Sequence, residues 1–260
     1  MKLKIMFLLF YIASSFGVYA INDPEPLKIL CYNLRFGELA SLEELAEFIK
    51  SVDPDIVALQ EVDVRTYRER APKQNGKDFI TELGYRTGML SAFGKTIPYM
   101  DGYYGIGILS KYPLSSIERI YLPKSAHGKE QRAVLVADVE YRDGAYITFA
   151  STHLDYTNTQ ERQLQVQALN KELLNRSYPV LLAGDFNAIP EAEEIMNGMK
   201  RWKDLSGKDA TVPAKNPKKK IDYIFGYPAG KWELIRDTTY QVQLSDHLPL
   251  SAIVQMKQHN

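Results

Sequence analysis

Cysteine is almost missing from this chain: Cys31 is the one thiol in 260 residues. An intramolecular disulfide is therefore impossible, and a zinc site built on cysteine clusters is excluded. Cys31 lies in the apolar run 27–32, which suits a buried core thiol rather than a catalytic one. Net charge is missing too. The 32 Lys and Arg residues are balanced by 32 Asp and Glu. No global field favours nucleic acid, whose binders often carry a strongly basic footprint. Membrane-length apolar runs are also lacking. The run at 5–13 falls well short of the roughly 20 residues a bilayer span needs, and it breaks at Ser14 and Ser15.

That short run has a use of its own. Lys2 and Lys4 precede it, and Val18-Tyr19-Ala20 resembles a small-residue cleavage motif. Residues 1–20 read as a signal peptide. The mature protein is then exported, periplasmic or extracellular, with two more acidic than basic residues. Apolar residues make up 45% of the chain and charged ones 25%, a globular composition. No linker, repeat or low-complexity stretch divides it, so residues 21–260 read as one domain.

Strand and helix patterns alternate along the first part. Residues 27–32 form an apolar strand ending at Asn33. Ser41 and Glu44 have the spacing of a capping box for a helix over 42–50. A second strand over 56–60 ends at Glu61. Residues 63–103 read mainly as a solvated polar loop holding Arg65, Arg68 and Arg70, with a helix near 77–83. Strands follow at 105–110, 115–121, 132–140 and 145–152, the last two joined by the turn residues 141–144. The fourth of these ends at His153, with Asp155 two positions on. A helix over 159–174 should bury Leu164, Ala168 and Leu169. A strand over 179–183 leads into Gly184-Asp185-Phe186-Asn187. The rest carries a basic loop at 215–220, Asp222 opening a short strand, another strand over 232–244, then Asp246 and His247 before a last strand over 248–254.

Asn33, Glu61, His153, Asp155, Asp185 and Asn187 thus all follow apolar strands. Ligands of α/β sheets gather beyond the carboxyl ends of strands, so these stations suggest one shared rim. Carboxylates and amides without thiols suit a hard cation such as Mg²⁺ or Mn²⁺. His153 and His247 add proton donors active near neutral pH. Each residue also has a plainer reading as a turn acid, a cap or a structural histidine. His127 and His259 stand alone and take that plainer reading. The case for the others rests on their occurring together.

The motifs Tyr32-Asn33-Leu34-Arg35, Leu59-Gln60-Glu61-Val62, Gly107-Ile108-Leu109-Ser110-Lys111, Thr152-His153-Leu154-Asp155, Gly184-Asp185-Phe186-Asn187, Ile221-Asp222-Tyr223-Ile224-Phe225 and Ser245-Asp246-His247-Leu248-Pro249 resemble those of the endonuclease/exonuclease/phosphatase superfamily. They occur in the family's order and cover nearly all of the chain after residue 20. The resemblance implies an α/β four-layer sandwich: two mixed β-sheets packed face to face, with helices on both outer sides. It implies metal-dependent hydrolysis of phosphoric esters, most often diesters. By the family's pattern Glu61 is the principal metal ligand, helped by Asn33, with Asp246 close by or on a second ion. Asp185 would orient or deprotonate the attacking water and Asn187 would hold it. His153 and His247, both cationic, would bind the non-bridging oxygens, and Asp222 would fix the tautomer of His247. Arg132, Asp155 and Lys220 are further candidates for the surroundings of the substrate phosphate.

Substrate is less defined. A small phosphodiester, a phospholipid headgroup and DNA all fit the motifs. The segment with Phe93, Ile97, Tyr99, Met100 and Tyr103 could touch lipid, though packing explains it equally. No stable membrane span is expected, and the protein is taken as a monomer. A silent binding protein of the same fold is the remaining alternative. The intact set of candidate residues argues against it.

Overall fold

Residues 25–257 are described in the structure, a computed structural model. Residues 1–20, where the sequence predicts a signal peptide, and His259 lie outside the described residues.

Twelve strands form two six-stranded sheets. The first sheet contains β1 (Leu27–Asn33), β2 (Ile56–Val64), β3 (Leu90–Tyr99), β4 (Gly102–Ser110), β11 (Trp232–Thr239) and β12 (Leu250–Met256), in the order β11-β12-β1-β2-β4-β3. The second contains β5 (Leu114–Tyr121), β6 (Ala133–Arg142), β7 (Ala145–His153), β8 (Val180–Asp185), β9 (Lys203–Asp204) and β10 (Asp222–Tyr227), in the order β5-β6-β7-β8-β10-β9. Each is mixed: β1–β2 and β7–β8 are parallel, and the other pairs are antiparallel.

Side chains alternate across a strand, so each sheet has two faces to cover. The inner faces meet in one core, where Ile29, Ala58 and Ile108 pack with Leu135, Phe149 and Leu181. The outer face of the first sheet is covered by α1 (Leu42–Val52) and α2 (Phe79–Thr87) through Leu45, Ile49, Phe79 and Leu83. The outer face of the second is covered mainly by α3 (Thr159–Leu173), with the short α4 (Glu193–Met196) beside it. The result is the four-layer sandwich that the motifs imply. No helix among the described residues is long and apolar enough to cross a membrane.

Local chemistry accounts for the element ends. The Ser41 hydroxyl accepts the Glu44 N–H while the Glu44 carboxylate accepts the Ser41 N–H, completing the capping box. Asp143 and Gly144 turn β6 into β7, with Gly144 at φ 69°. At Gly105 a Cβ would sit 2.1 Å from the Gly94 carbonyl oxygen, so only glycine lets β3 and β4 approach there.

The structure departs from the sequence pattern in four places. Residues 63–103 are not mainly a loop: β3 runs through them and pairs with β4. Its apolar residues are interrupted by Ser91, Gly94 and Lys95, which hides the strand period. Helix α3 does not bury Leu164, which is 42% exposed. It buries Leu169 as expected, and with it Arg162, Gln165 and Val166, because Arg162 pairs with Glu194 and Gln165 accepts the Asp155 N–H. The strand expected over 232–244 stops at Thr239.

The fourth departure matters most. β2 does not end before Glu61. It continues to Val64 through an irregularity between Leu59 and Val62. Glu61 sits at this bulge with φ 55°. A bulge adds a residue to one strand and re-aims side chains. Val57 and Leu59 face the outer core before it, and Val62 and Val64 face the same core after it.

Candidate active site

The parallel pairs bring the site together, because paired parallel strands finish at the same edge. In the second sheet His153 of β7 is the register partner of Asp185 of β8, and Asp185 is the partner of Asp222 of β10. Three chemistry-bearing side chains therefore stand on adjacent strands. Gly184 permits this close pairing, since a Cβ there would lie 2.1 Å from the Thr152 carbonyl oxygen. From the other sheet, the Asn33 amide reaches across. Its Nδ2 donates to Asp185 Oδ2 and to Glu61 Oε1, both at 3.1 Å. Its Oδ1 accepts the Arg35 N–H at 3.0 Å, which fixes the orientation of the amide.

Asp185 is the hub. Besides Asn33, its Oδ2 lies 3.5 Å from His153 Nε2 and 3.7 Å from His247 Nε2. Its Oδ1 accepts the backbone N–H of Asn187 at 2.8 Å. Asn187, at φ 50°, donates through Nδ2 to the Leu154 carbonyl at 3.1 Å. His247 Nδ1 meets Asp222 Oδ2 at 2.9 Å, and the same oxygen accepts the Thr211 hydroxyl at 2.5 Å. Asp222 Oδ1 and His153 Nδ1 are buried with no hydrogen-bond partner.

Burial and neighbouring charge set the protonation states. Burial drives Asp185 up to about 7, with the Asp222 carboxylate adding to the rise and His247 opposing it. Glu61 is also raised, by burial above all, against the Asn33 hydrogen bond. Burial alone would lower His247, but the carboxylates of Asp222 and Asp185 outweigh it and raise the ring to about 10. His153 goes the other way. Burial, then the charges of Arg132 and His247, hold it well below the usual histidine range. The expectation of two cationic histidines is thus corrected: His247 is the imidazolium and His153 is neutral.

These groups line a cavity of about 350 Å³. Glu61, His153, Asp185, Asn187 and His247, all candidate catalytic or metal-binding residues, form one end of it. Arg132 joins them, with a buried Nε that lacks a partner. Asp246 is held at the edge by ion pairing with Arg35, which also pairs with Glu38.

Two expected residues lie elsewhere. Lys220 does not face the cavity: its ammonium is used by Asp204 at 3.1 Å, by Ser206 at 2.8 Å and by the Gly207 carbonyl. Asp155 is a loop anchor. Its Oδ1 accepts from the N–H and hydroxyl of Thr157 and from the Asn158 N–H, at 2.7 to 2.9 Å. These bonds fix the entry to α3 and leave it no role beside a phosphate.

Other residues of the cavity stand outside the motifs, several in segments read as a solvated loop or as packing or lipid contact. Phe36, Arg68, Arg70, Tyr99, Tyr104, Glu130 and Tyr156 make its outer wall. The Arg68 guanidinium lies 4.1 Å from the centres of both the Phe36 and Tyr99 rings. Its Nε and Nη2 bond both Asp63 oxygens, at 2.5 and 3.0 Å. The only clue was the density of arginine in 65–70, which a solvated loop explains equally.

Acidic groups facing one cavity with raised proton affinity suit a divalent cation. Asp185, Asp222 and His247 bring ligand atoms within 4.8 Å of one another. An imidazolium cannot be a ligand, however, so the cation-seeking side of the cluster is Asp185 toward Glu61. An all-oxygen donor set of this kind fits a hard ion.

Comparison with known proteins agrees with the geometry. Residues 30–247 match the sequence profile of the Endonuclease/Exonuclease/phosphatase family. The uncharacterized protein YbhP of Escherichia coli (strain K12) is 29% identical over 251 residues, covering 88% of this chain and 96% of its own. An endonuclease/exonuclease/phosphatase from Beutenbergia cavernae superposes with a TM-score of 0.73 at 18% identity, covering 89% of this chain and 72% of that one. The human Nocturnin catalytic domain, solved with bound sulfate, gives 0.67 at 18% identity, covering 90% and 96%. Members of this family are phosphoester hydrolases that generally use a divalent metal. On sequence and on fold, the chain belongs to the endonuclease/exonuclease/phosphatase family.

Proposed function

We propose that this protein is an exported, Mg²⁺- or Mn²⁺-dependent phosphodiesterase that cleaves a small phosphodiester. The observation that carries the reading is the linked set Asp222–His247–Asp185–Asn33–Glu61 around one cavity. Glu61 would hold the cation, with Asn33 and Asp246 beside it. The ion, when bound, supplies positive charge to the phosphoryl oxygens.

The chain's own residues supply the rest. Asp185, as its carboxylate, orients a water and accepts its proton. Asn187 holds that water or a phosphoryl oxygen. The new bond joins the water oxygen to phosphorus, the P–O bond to the alcohol breaks, and solvent protonates the departing oxygen. His247 stays charged because the Asp222 carboxylate accepts a hydrogen bond from its Nδ1–H, so its Nε2–H faces the charge that builds in the transition state. His153 gives a neutral N–H at the same place.

Diester chemistry is favoured by the charge around the cavity. Each arginine that lines it has a carboxylate partner: Asp63 for Arg68, Glu38 for Arg70 and Glu130 for Arg132. A singly charged diester needs less surplus cation than a doubly charged monoester. Long nucleic acid normally needs a run of unmatched basic groups, which this wall lacks.

The test is hydrolysis by purified protein lacking residues 1–20, with Mg²⁺ and Mn²⁺ supplied in turn. Bis-p-nitrophenyl phosphate should be cleaved faster than p-nitrophenyl phosphate. No hydrolysis of either would overturn the reading. Export is tested separately by N-terminal sequencing, which should begin at Ile21; retention of Met1 would overturn it.

A further inference from the structure

The outer wall of the cavity differs from a nucleobase site. Every aromatic ring that lines it already has a guanidinium over it. Arg68 covers Phe36 and Tyr99 at 4.1 Å and Tyr104 at 5.2 Å, and Arg132 lies 5.9 Å from the Tyr156 ring centre. Tyr99 and Tyr104 meet at 49°, so they offer no parallel slot for a flat ring. Base recognition ordinarily uses open stacking faces.

What the wall offers is donors and acceptors side by side. Arg70 gives Nε and Nη2 to Glu38 at 3.0 and 2.7 Å and stays 60% exposed. Arg132 lies 3.4 Å from Glu130, whose side chain is one-third exposed, and keeps a buried Nε without a partner. A hydroxyl both donates and accepts, so an alternating guanidinium–carboxylate surface satisfies neighbouring hydroxyls. The matched charges also leave no surplus cation for a second phosphate.

Resting on the hydrolase reading above, we propose that the organic group carried by the scissile phosphate is an uncharged, hydroxylated ring, a sugar or a cyclitol. Glu130 and Arg70 are its specificity residues. The ring's hydroxyls donate to Glu130 and accept from Arg70. The cavity, about 350 Å³, has room for one such ring with its phosphate.

The experiment compares kcat/KM on phosphodiesters with one alcohol fixed as glycerol. Glycerophosphoinositol and a glycerol–glucose phosphodiester carry the ring; glycerophosphocholine lacks it; a glycerol–thymidine phosphodiester carries a nucleoside in its place. At least one ring diester should exceed the choline and thymidine substrates tenfold or more. Phosphatidylinositol in detergent micelles, run beside the soluble ring diesters, tells a lipid source from a free one. Glu130→Gln and Arg70→Met should each lower the ring-to-choline ratio about tenfold, the scale of a hydrogen bond to a charged group. Their melting temperatures should stay near that of the wild type. Equal rates on choline and ring substrates, preference for the thymidine diester or for an inositol ring bearing extra phosphates, or ratios unmoved in both variants would each overturn the proposal. Cleavage of bis-p-nitrophenyl phosphate alone would overturn the ring assignment and leave the hydrolase reading standing. No cleavage of anything would overturn both.

Discussion

The two ends of the cavity are built on opposite rules. At the catalytic end, polar groups are buried and incompletely satisfied: Asp222 Oδ1 and His153 Nδ1 have no partners, and Asp185 and His247 are shifted far from ordinary values. On the outer wall, the arginines are matched by acids, two of them through paired hydrogen bonds. Unsatisfied groups hold free energy that a cation, a water and a phosphate can release. Satisfied groups hold shape. Substitutions at the first end should therefore change rate with little loss of stability, and breaking the buried Arg68–Asp63 pair of the wall should do the reverse.

The largest effect should come from removing the cation. Chelation with EDTA should abolish hydrolysis of bis-p-nitrophenyl phosphate, and added Mg²⁺ or Mn²⁺ should restore it. Glu61→Gln should raise the metal concentration needed for half-maximal rate more than any other single change. Turnover that persists after exhaustive chelation would contradict the division drawn above.

His247→Ala comes next, with kcat falling on the order of a hundredfold or more, the range for one transition-state donor. Asp222→Asn should lower kcat less, because the ring is left in place with its charge no longer held. The double variant should resemble His247→Ala alone, since the two act as a unit. Losses that multiply would mean that Asp222 serves only Thr211 and the turn around it.

On the wall, Arg68→Met should cost about 3–5 kcal/mol of stability, because Asp63 is left buried without its partner. Its kcat on bis-p-nitrophenyl phosphate should stay within a few-fold of wild type. Denaturant unfolding and steady-state kinetics on one preparation separate the two readouts. A large rate loss with unchanged stability would erase the contrast.

The smallest effect is in pH. The Asp185 carboxyl is raised to about 7, above its unfolded range near 4, so without metal its contribution is most favourable below about pH 4 and is lost as pH rises to 7. The His247 ring is raised to about 10, so its contribution is full below about 6.5 and is lost as pH rises through 10. Melting temperature in EDTA should therefore decline across both windows. Asp185→Asn should flatten the first and move the upper end of the second to lower pH, because one of the two carboxylates that raise His247 is gone. A wild-type profile that climbs between pH 4 and 7 would count against the raised carboxyl.

The contrast also explains what could be read from the sequence. The candidate catalytic residues close apolar strands, so the runs before Asn33, His153 and Asp185 point at them; the apolar pattern showed alternating strands and helices, and the sandwich came from the family's motifs. The wall residues come from the stretches 35–38, 65–70, 97–104 and 130–132, and only pairing across the sheet edge brings them together. Nothing local in 90–99 marked β3, because the strand's period is broken. Lys220 and Asp155 were misplaced for a related reason: a charged residue beside a motif looks functional until its fold partners, Asp204 for one and Thr157 for the other, are in place.

The bulge in β2 has one more consequence. Before it the outward positions are odd-numbered, Val57 and Leu59; after it they are even-numbered, Val62 and Val64. Glu61 is the residue that shifts the phase. Take it out and an unbroken alternation remains, with every valine still facing its own core. As far as the strand's pattern goes, the carboxylate proposed to hold the cation is an interpolated letter in a word that reads correctly without it. An ancestral strand could have lacked that letter and folded, and a descendant could drop it and keep the sandwich. Silent relatives of this fold should therefore be sought among chains one residue shorter here, as well as among those with Glu61 replaced.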